Sequence, residues 1–375
     1  MKRFVLLLQA LLFAHGMALA EPGVSSQKLV LGMSTPLSGA LAPYGLELQR
    51  GLNLGFAQVN AAGGIAGRQI DLLVRDDAGL PERAVLNTQE LLATGVLALT
   101  GYHGSASIEA ALPLWDEAGV PVIGIASGAE VLRDPVRPAL FNLRAGARDE
   151  SVAMVLQLDT IGLTDIAIIT QDDAAGRAAL ETFNTELVRL AILPTARARL
   201  PLAASDAAVA QAVATLCKNS PQALVMALDA RSTVAVIRQA KKQACTQQFY
   251  VMSEAGSQML ASTASPRELA GVIVSQVLPN PSSSSPLAAE FQRQSALAGK
   301  ANPSYAAFEG YLYAVVITEA LKRCAKDLTR RCLVTALEAR PLDIGAYRLQ
   351  FSPTDHRGSR FVEMTIVTPD GRFRR

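Results

Sequence analysis

The sequence predicts an α/β protein of two lobes, each built on a parallel β-sheet covered by helices. Three observations lead there. Short apolar runs of strand length alternate with longer segments of helical period, and such alternation implies parallel strands joined by helical crossovers. The alternation comes as two successive series of roughly 120 residues, divided near Arg148, and so implies two lobes. The chain of 375 residues is 50% hydrophobic and only 18% charged, which excludes a disordered or fibrous chain and leaves enough apolar material for two cores.

In the first series, the run 28–34 (KLVLGMS) stops at Pro36, Ser38 and Gly39, a strand followed by a turn. From 45 to 60, Leu48, Leu52, Phe56 and Val59 recur on one helical face, and Gly63-Gly64 ends the pattern. A strand over 69–75, a helix from Pro81, a strand over 96–100, a helix from Ser105 and a strand over 121–125 follow. The second series has a strand over 166–170, a helix from Ala174, a strand over 223–228, a helix from Ser232 and a strand over 249–252. Beyond Leu278 the segment Pro279-Asn280-Pro281 and the serine run 282–285 predict a loop that crosses between lobes. Helices over 286–297, 305–323 and 329–338 and strands over 347–351 and 361–368 complete the chain.

The N-terminus predicts an exported protein. Lys2 and Arg3 precede an apolar run over 4–14 that is too short to span a bilayer, and Ala18-Leu19-Ala20 has the small-x-small pattern cleaved by signal peptidase, here before Glu21. Residues 1–20 are therefore expected to be a signal peptide and the mature protein to be periplasmic. No lipobox cysteine lies near the cut, and no later stretch reaches 18 uninterrupted apolar residues. Removing Lys2 and Arg3 leaves equal numbers of basic and acidic residues, so charge offers no case for nucleic acid or an anionic membrane as partner. Cys217, Cys245, Cys324 and Cys332 would enter an oxidising compartment, which favours disulfides. Three connectivities are open, and local spacing favours Cys217 with Cys245 and Cys324 with Cys332.

Enzymatic motifs are missing. There is no P-loop, no dinucleotide-binding G-x-G-x-x-G after a strand, and no G-x-S-x-G nucleophile elbow. His103 and His356 lie far apart, no catalytic residue is assigned, and no metal or cofactor is expected. Asp76-Asp77 and Asp172-Asp173 follow strands and read as loop residues capping the next helix. One constellation points to a ligand. Open α/β sheets bind at the carboxyl ends of their strands, where helix N-termini expose N–H groups. Three such junctions carry small or hydroxyl residues: Ser38-Gly39, Gly104-Ser105-Ala106-Ser107, and Ser127-Gly128-Ala129. Together they predict an anion site.

These residues lie within longer stretches that resemble a known family. STPLSGALAPYG, GLNLGFAQVNAAGGIAGRQIDLLVRDDA, LTGYHGSASIEAALPLWDEAGVPVIGIASGAEVL, SYAAFEGYLYAVVITEAL and GSRFVEMTIVTPDGRF are similar to the leucine/isoleucine/valine-binding protein family, with the span 60–77 the most specific. These are extracytoplasmic receptors of branched-chain amino acid ABC transporters. The resemblance implies a type I periplasmic-binding-protein fold, with two lobes joined by a three-strand hinge that closes on the ligand. It divides this chain into an N-terminal lobe of 21–142 plus 279–343 and a C-terminal lobe of 143–278 plus 344–375. It further implies that Ser105 holds a ligand carboxylate with Ser127 and Ala129 beside it, that Tyr44 is a ligand-facing aromatic of the first-lobe loop, that Tyr305 is an aromatic wall, and that Glu254 meets an ammonium from the second lobe. Two departures bear on the ligand side chain. Ala175 stands before Gly176 where the family has tyrosine or phenylalanine, which would enlarge the pocket for a bulkier ligand. His103, next to Gly104, stands where an apolar residue is common. The expected function is capture of an amino acid or related small carboxylate for delivery to an ABC permease. A ligand sensor of the same fold is the alternative, and an exported α/β enzyme a weaker one.

Overall fold

The computed structural model describes residues 21–246, 248–300, 303–345 and 347–375. The expected signal peptide, 1–20, lies outside them. The first series forms a five-stranded parallel sheet of β1 (Lys28–Thr35), β2 (Gln69–Asp76), β3 (Ala98–Leu99), β4 (Val122–Ile123) and β5 (Leu140–Phe141), in the order β2-β1-β3-β4-β5. Its crossovers are α1 (Ala42–Ala61), α2 (Pro81–Thr94) and α3 (Ser105–Ala118). β1 is buried almost throughout, as expected of a strand covered by helices on both faces.

The second series opens with α4 (Ala147–Thr160) and continues through β6 (Ile166–Gln171), α5 (Ala174–Arg189), β7 (Ala196–Leu200), α6 (Asp206–Cys217), β8 (Ala223–Ala227), α7 (Ala230–Lys242), β9 (Gln248–Val251), α8 (Ser257–Thr263), α9 (Pro266–Leu269) and β10 (Val272–Gln276). The chain then leaves for α10 (Pro286–Leu297), α11 (Tyr305–Arg323) and α12 (Arg330–Glu338), and returns as β11 (Glu363–Val367) and β12 (Phe373–Arg374). The second sheet runs β12-β11-β10-β9-β8-β6-β7, parallel except for its last two antiparallel strands. Periodicity alone did not reveal β7. Its sequence, ARARL, alternates alanine with arginines that reach solvent, because an edge strand needs no continuous apolar run.

The chain passes between the sheets three times: after β5, after β10, and in the long approach to β11. Tyr347, Leu349 and Phe351 pack in the core cluster that contains α1 and α11. Asn142 and the third connection exchange backbone hydrogen bonds, from Asn142 N–H to His356 O at 3.0 Å and from Gly358 N–H to Asn142 O at 2.9 Å. Residues 356–358 thus run beside the first connection before the chain joins the second sheet at Glu363.

α11 is an enclosed helix, with every residue from Ala306 to Ala314 buried. It lies against α1 at backbone distance. A Cβ on Gly51 would sit 1.9 Å from the Ala307 carbonyl oxygen, and one on Gly310 would sit 2.0 Å from that of Leu48. Only glycine permits this approach, and it sets the beginning of α1 beside the beginning of α11.

Disulfides join Cys217 to Cys245, at the ends of α6 and α7, and Cys324 to Cys332, between α11 and α12. They close loops 28 and 8 residues apart in sequence. Chain entropy gives the longer loop the larger effect, about 3–4 kcal/mol against about 2–3 kcal/mol. Urea unfolding of the two double Cys→Ala variants should therefore show the greater loss without Cys217–Cys245; the reverse order would contradict this account.

Candidate ligand-binding site

Two of the three expected junctions come together at the carboxyl end of the first sheet. Short pairing of Tyr102–His103 with Ile125–Ala126 prolongs the β3 and β4 segments toward the second lobe. Gly104 then turns the chain into α3 with φ of +90°, a conformation that other residues rarely adopt. Ser105 Oγ lies 2.7 Å from Ser127 Oγ, and Ser127 Oγ accepts the Ala129 N–H at 3.1 Å. Behind them the buried Arg133 donates to the carbonyls of Ser127 and Ala129 at 2.8 and 2.9 Å, fixing the loop. Burial lowers the Arg133 pKa to about 10, still charged at neutral pH.

The third junction is closed. Ser38 donates both its hydroxyl and its N–H to Asp76, which also accepts from Leu37 and Ala78. Burial raises the Asp76 pKa, but these donors outweigh it and hold the carboxyl at about 2. An anion expected at Ser38 finds that place filled by a carboxylate of the protein itself. Asp77 is likewise absorbed by its turn, accepting from Ser34 and Gly79. Asp173 caps α5 through Gly176 N–H at 2.7 Å.

From the second lobe, Glu254 occupies a turn after β9 and reaches across, accepting from Ser105 Oγ at 3.1 Å. Around this contact the surface is acidic. Burial raises the Glu109 pKa, with the charges of Asp173 and Glu254 adding to the effect. Ala175 is half-buried in the first turn of α5, two residues beyond Asp173. It does not line the small chamber at the inner end of the cleft.

At that inner end, Tyr44, His103 and Tyr305 meet Arg144, Glu150, Ser253 and Glu309, which no local motif marks. The Tyr44 ring stacks on His103 at 4.1 Å between centroids, inclined by 8°. His103 Nδ1 faces the Ala126 carbonyl at 3.2 Å, so the ring proton belongs on Nδ1. The Tyr44 hydroxyl donates to Glu309, and Arg144 Nη1 lies 3.4 Å from Glu309 Oε1. Arg144 Nη2 donates to Ser253 Oγ at 2.6 Å. Ser253 in turn donates its hydroxyl and N–H to Glu150 at 2.8 and 2.7 Å, and Ser275 donates to the same carboxylate. Burial keeps the Glu150 pKa above the usual range, although Arg144 and these donors oppose it. Burial works most strongly against the charge of Arg144, but Glu309, Tyr44, Glu150 and Tyr313 together outweigh it, so the guanidinium stays protonated. Arg144, Glu309, Tyr44 and Tyr305 line a chamber of about 20 Å³. Tyr305 closes one side, with Phe373 edge-on to it at 6.0 Å. A lone glutamate within the apolar run SYAAFEGYLYAVV was the one available signal for Glu309. Among the described residues, no group of three or more histidine, cysteine or acidic side chains is placed to hold a metal ion.

Residues 28–372 match the family described as periplasmic binding protein. The chain belongs to that family. An amino acid binding protein of Pseudomonas aeruginosa is 29% identical over 177 residues, 45% of this chain and 47% of that protein. Leu/Ile/Val-binding protein homolog 2 of Brucella abortus is 31% identical over 104 residues, 28% of each chain. The matched stretches thus span half or less of these relatives. Solved structures match over nearly the whole chain. An extracellular ligand-binding receptor from Verminephrobacter eiseniae is 28% identical with a TM-score of 0.85, covering 93% of this chain and 100% of that one. A possible leucine/isoleucine/valine-binding protein from Rhodopirellula baltica is 25% identical with a TM-score of 0.84, covering 94% and 98%. The fold is the type I arrangement, and membership implies a periplasmic setting and a substrate-binding role.

In this periplasmic binding protein the neutral His103 supplies a test of the buried cleft. Burial, with Arg144 adding to it, lowers its pKa from 6.5 to about 4. The unfolded chain therefore takes up a proton before the folded one does. The resulting stability is complete above pH 6.5 and is lost as pH falls toward 4. Between pH 7.5 and 5, wild type should lose about 2 kcal/mol more than His103→Phe, measured by urea unfolding at each pH. Parallel pH profiles would show that His103 is not held neutral.

Proposed function

We propose that the protein captures an amino acid, or a closely related small carboxylate, between its lobes and delivers it to an ABC permease. The observation that carries this reading is the direct contact of Ser105 with Glu254 across the cleft. Each group is the partner one end of a zwitterion requires. A ligand carboxylate would take the place of Glu254 on the hydroxyls of Ser105 and Ser127, favoured by the N-terminus of α3. Its ammonium would take the place of the serine hydroxyl on Glu254, beside the negative charges of Glu109 and Asp173. Ala129, Gly104 and the stacked pair of Tyr44 and His103 would surround the ligand from the first lobe, with Tyr305 as an inner wall. Ala175 would border the entrance and influence which ligands enter. Because the two ends of the ligand bind to different lobes, its contacts are complete only when the lobes meet, and closure is a hinge motion about the three connections. Amino acid binding and Leu/Ile/Val-binding relatives support the ligand class, and the transport role follows the same kinship.

Calorimetry with a panel of L-amino acids and their deaminated analogues tests the reading. Ser105→Ala should weaken binding ten- to a hundredfold, the equivalent of about 1.5–3 kcal/mol for one charge-assisted hydrogen bond. Backbone N–H groups of α3 remain, so binding weakens without vanishing. Glu254→Gln should weaken amino acids more than deaminated analogues. Unchanged affinities in both variants would remove the cleft from consideration.

A further inference from the structure

The chamber at the inner end of the cleft has a chemistry unlike that of an aliphatic pocket. Its polar lining includes Arg144, Glu309, Gln258, Gln276, Tyr44 and Tyr305. It adjoins the proposed ligand contacts on both sides, since Ser253 and Gly256 on its wall flank Glu254 in the same turn, and Tyr44 stacks on His103 two residues before Ser105. Its volume of about 20 Å³ accommodates roughly one water-sized group.

Among the described residues, two side chains of this lining carry a buried polar atom without a partner. Arg144 Nε is buried without an acceptor, and so is the Tyr305 hydroxyl. Arg144 as a whole is held tightly, its side chain 4% exposed and its other nitrogens committed to Glu309, Tyr44 and Ser253. A buried donor without an acceptor costs about 1–3 kcal/mol, and an aliphatic side chain entering the chamber would leave both donors in that state. A second carboxylate meets a different obstacle. Glu309 and Glu150 already face the single guanidinium, so a third negative charge would be repelled rather than paired. A neutral acceptor avoids both difficulties.

We propose that this chamber selects the side chain of the ligand, with Arg144 and Tyr305 donating to a neutral oxygen, so that the preferred ligand carries a carboxamide or hydroxyl rather than a branched aliphatic or acidic side chain. This rests on the proposed capture of an amino acid at Ser105 and Glu254. Gln276 lies beside the same space, its amide held by Ser257 and Thr365. The amide is therefore fixed in orientation.

Calorimetry on the full protein with L-asparagine, L-leucine and L-aspartate isolates the effect, because their side chains are nearly equal in size and shape. L-Glutamine and L-glutamate extend the series by one methylene. At least one carboxamide should bind tenfold or more tightly than both its aliphatic or acidic counterparts, because a site built to hydrogen-bond discriminates strongly against analogues that cannot. Tyr305→Phe, which removes only the unpartnered hydroxyl, should cut that preference severalfold. Arg144→Gln combined with Glu309→Gln, which removes the charge pair without isolating either member, should abolish it. Leucine binding as tightly as asparagine and glutamine would overturn this inference while leaving amino acid capture intact, and would mean that ordered water satisfies the chamber. Tight binding of the acidic pair alone would overturn it equally. Binding of none of the five would overturn this inference, and the Ser105 and Glu254 panel would then decide whether the capture reading falls with it.

Discussion

A buried guanidinium governs the centre of the molecule. Arg144 lies on the first connection between the sheets and binds Glu309 of α11 on one side and Ser253 of the second lobe on the other. A charge so deeply buried is tolerated only when paired, and removing one partner of such a pair typically costs about 3–5 kcal/mol. The surroundings follow from that demand. Glu309 must reach the connection, which requires α11 to lie beside α1, and the glycines at 51 and 310 permit that approach. Ser253 must hold its position, which Glu150 ensures by accepting from both its hydroxyl and its N–H. The turn that carries Glu254 is thereby fixed from behind.

The cleft obeys a related rule. Ser105, Ser127 and Glu254 satisfy one another across the lobes, so none of these groups is left bare. Ligand binding would then exchange hydrogen bonds rather than create them from unsatisfied groups. Such an exchange yields a modest net free energy. Where the exchange is incomplete, at the Arg144 and Tyr305 donors, discrimination between ligands becomes possible.

Much of the fold was legible because its elements are locally encoded. The run KLVLGMS became β1, and the face of Leu48, Leu52 and Phe56 became the buried side of α1. Helix starts at Pro81, Ser105, Ala174, Pro286 and Tyr305 coincide with those read from turn and capping residues. β7 escaped because an edge strand with exposed arginines has no apolar run. The Ser38 junction looked equivalent to the other two in sequence, and only the return of β2 beside β1 brings Asp76 to fill it.

The sequence by itself determined the alternation of strands and helices, the two series, and the small residues at strand ends, because each depends on neighbours within a few positions. Tertiary structure decided which of those strand ends form the cleft and what lies behind them. Ser105 and Glu254 are 149 positions apart, and Arg144 and Glu309 are 165. No local pattern relates residues at such separation. Their pairing follows from the packing of α1 against α11 and from the three connections between sheets, where the need to neutralise a buried charge selects the partners.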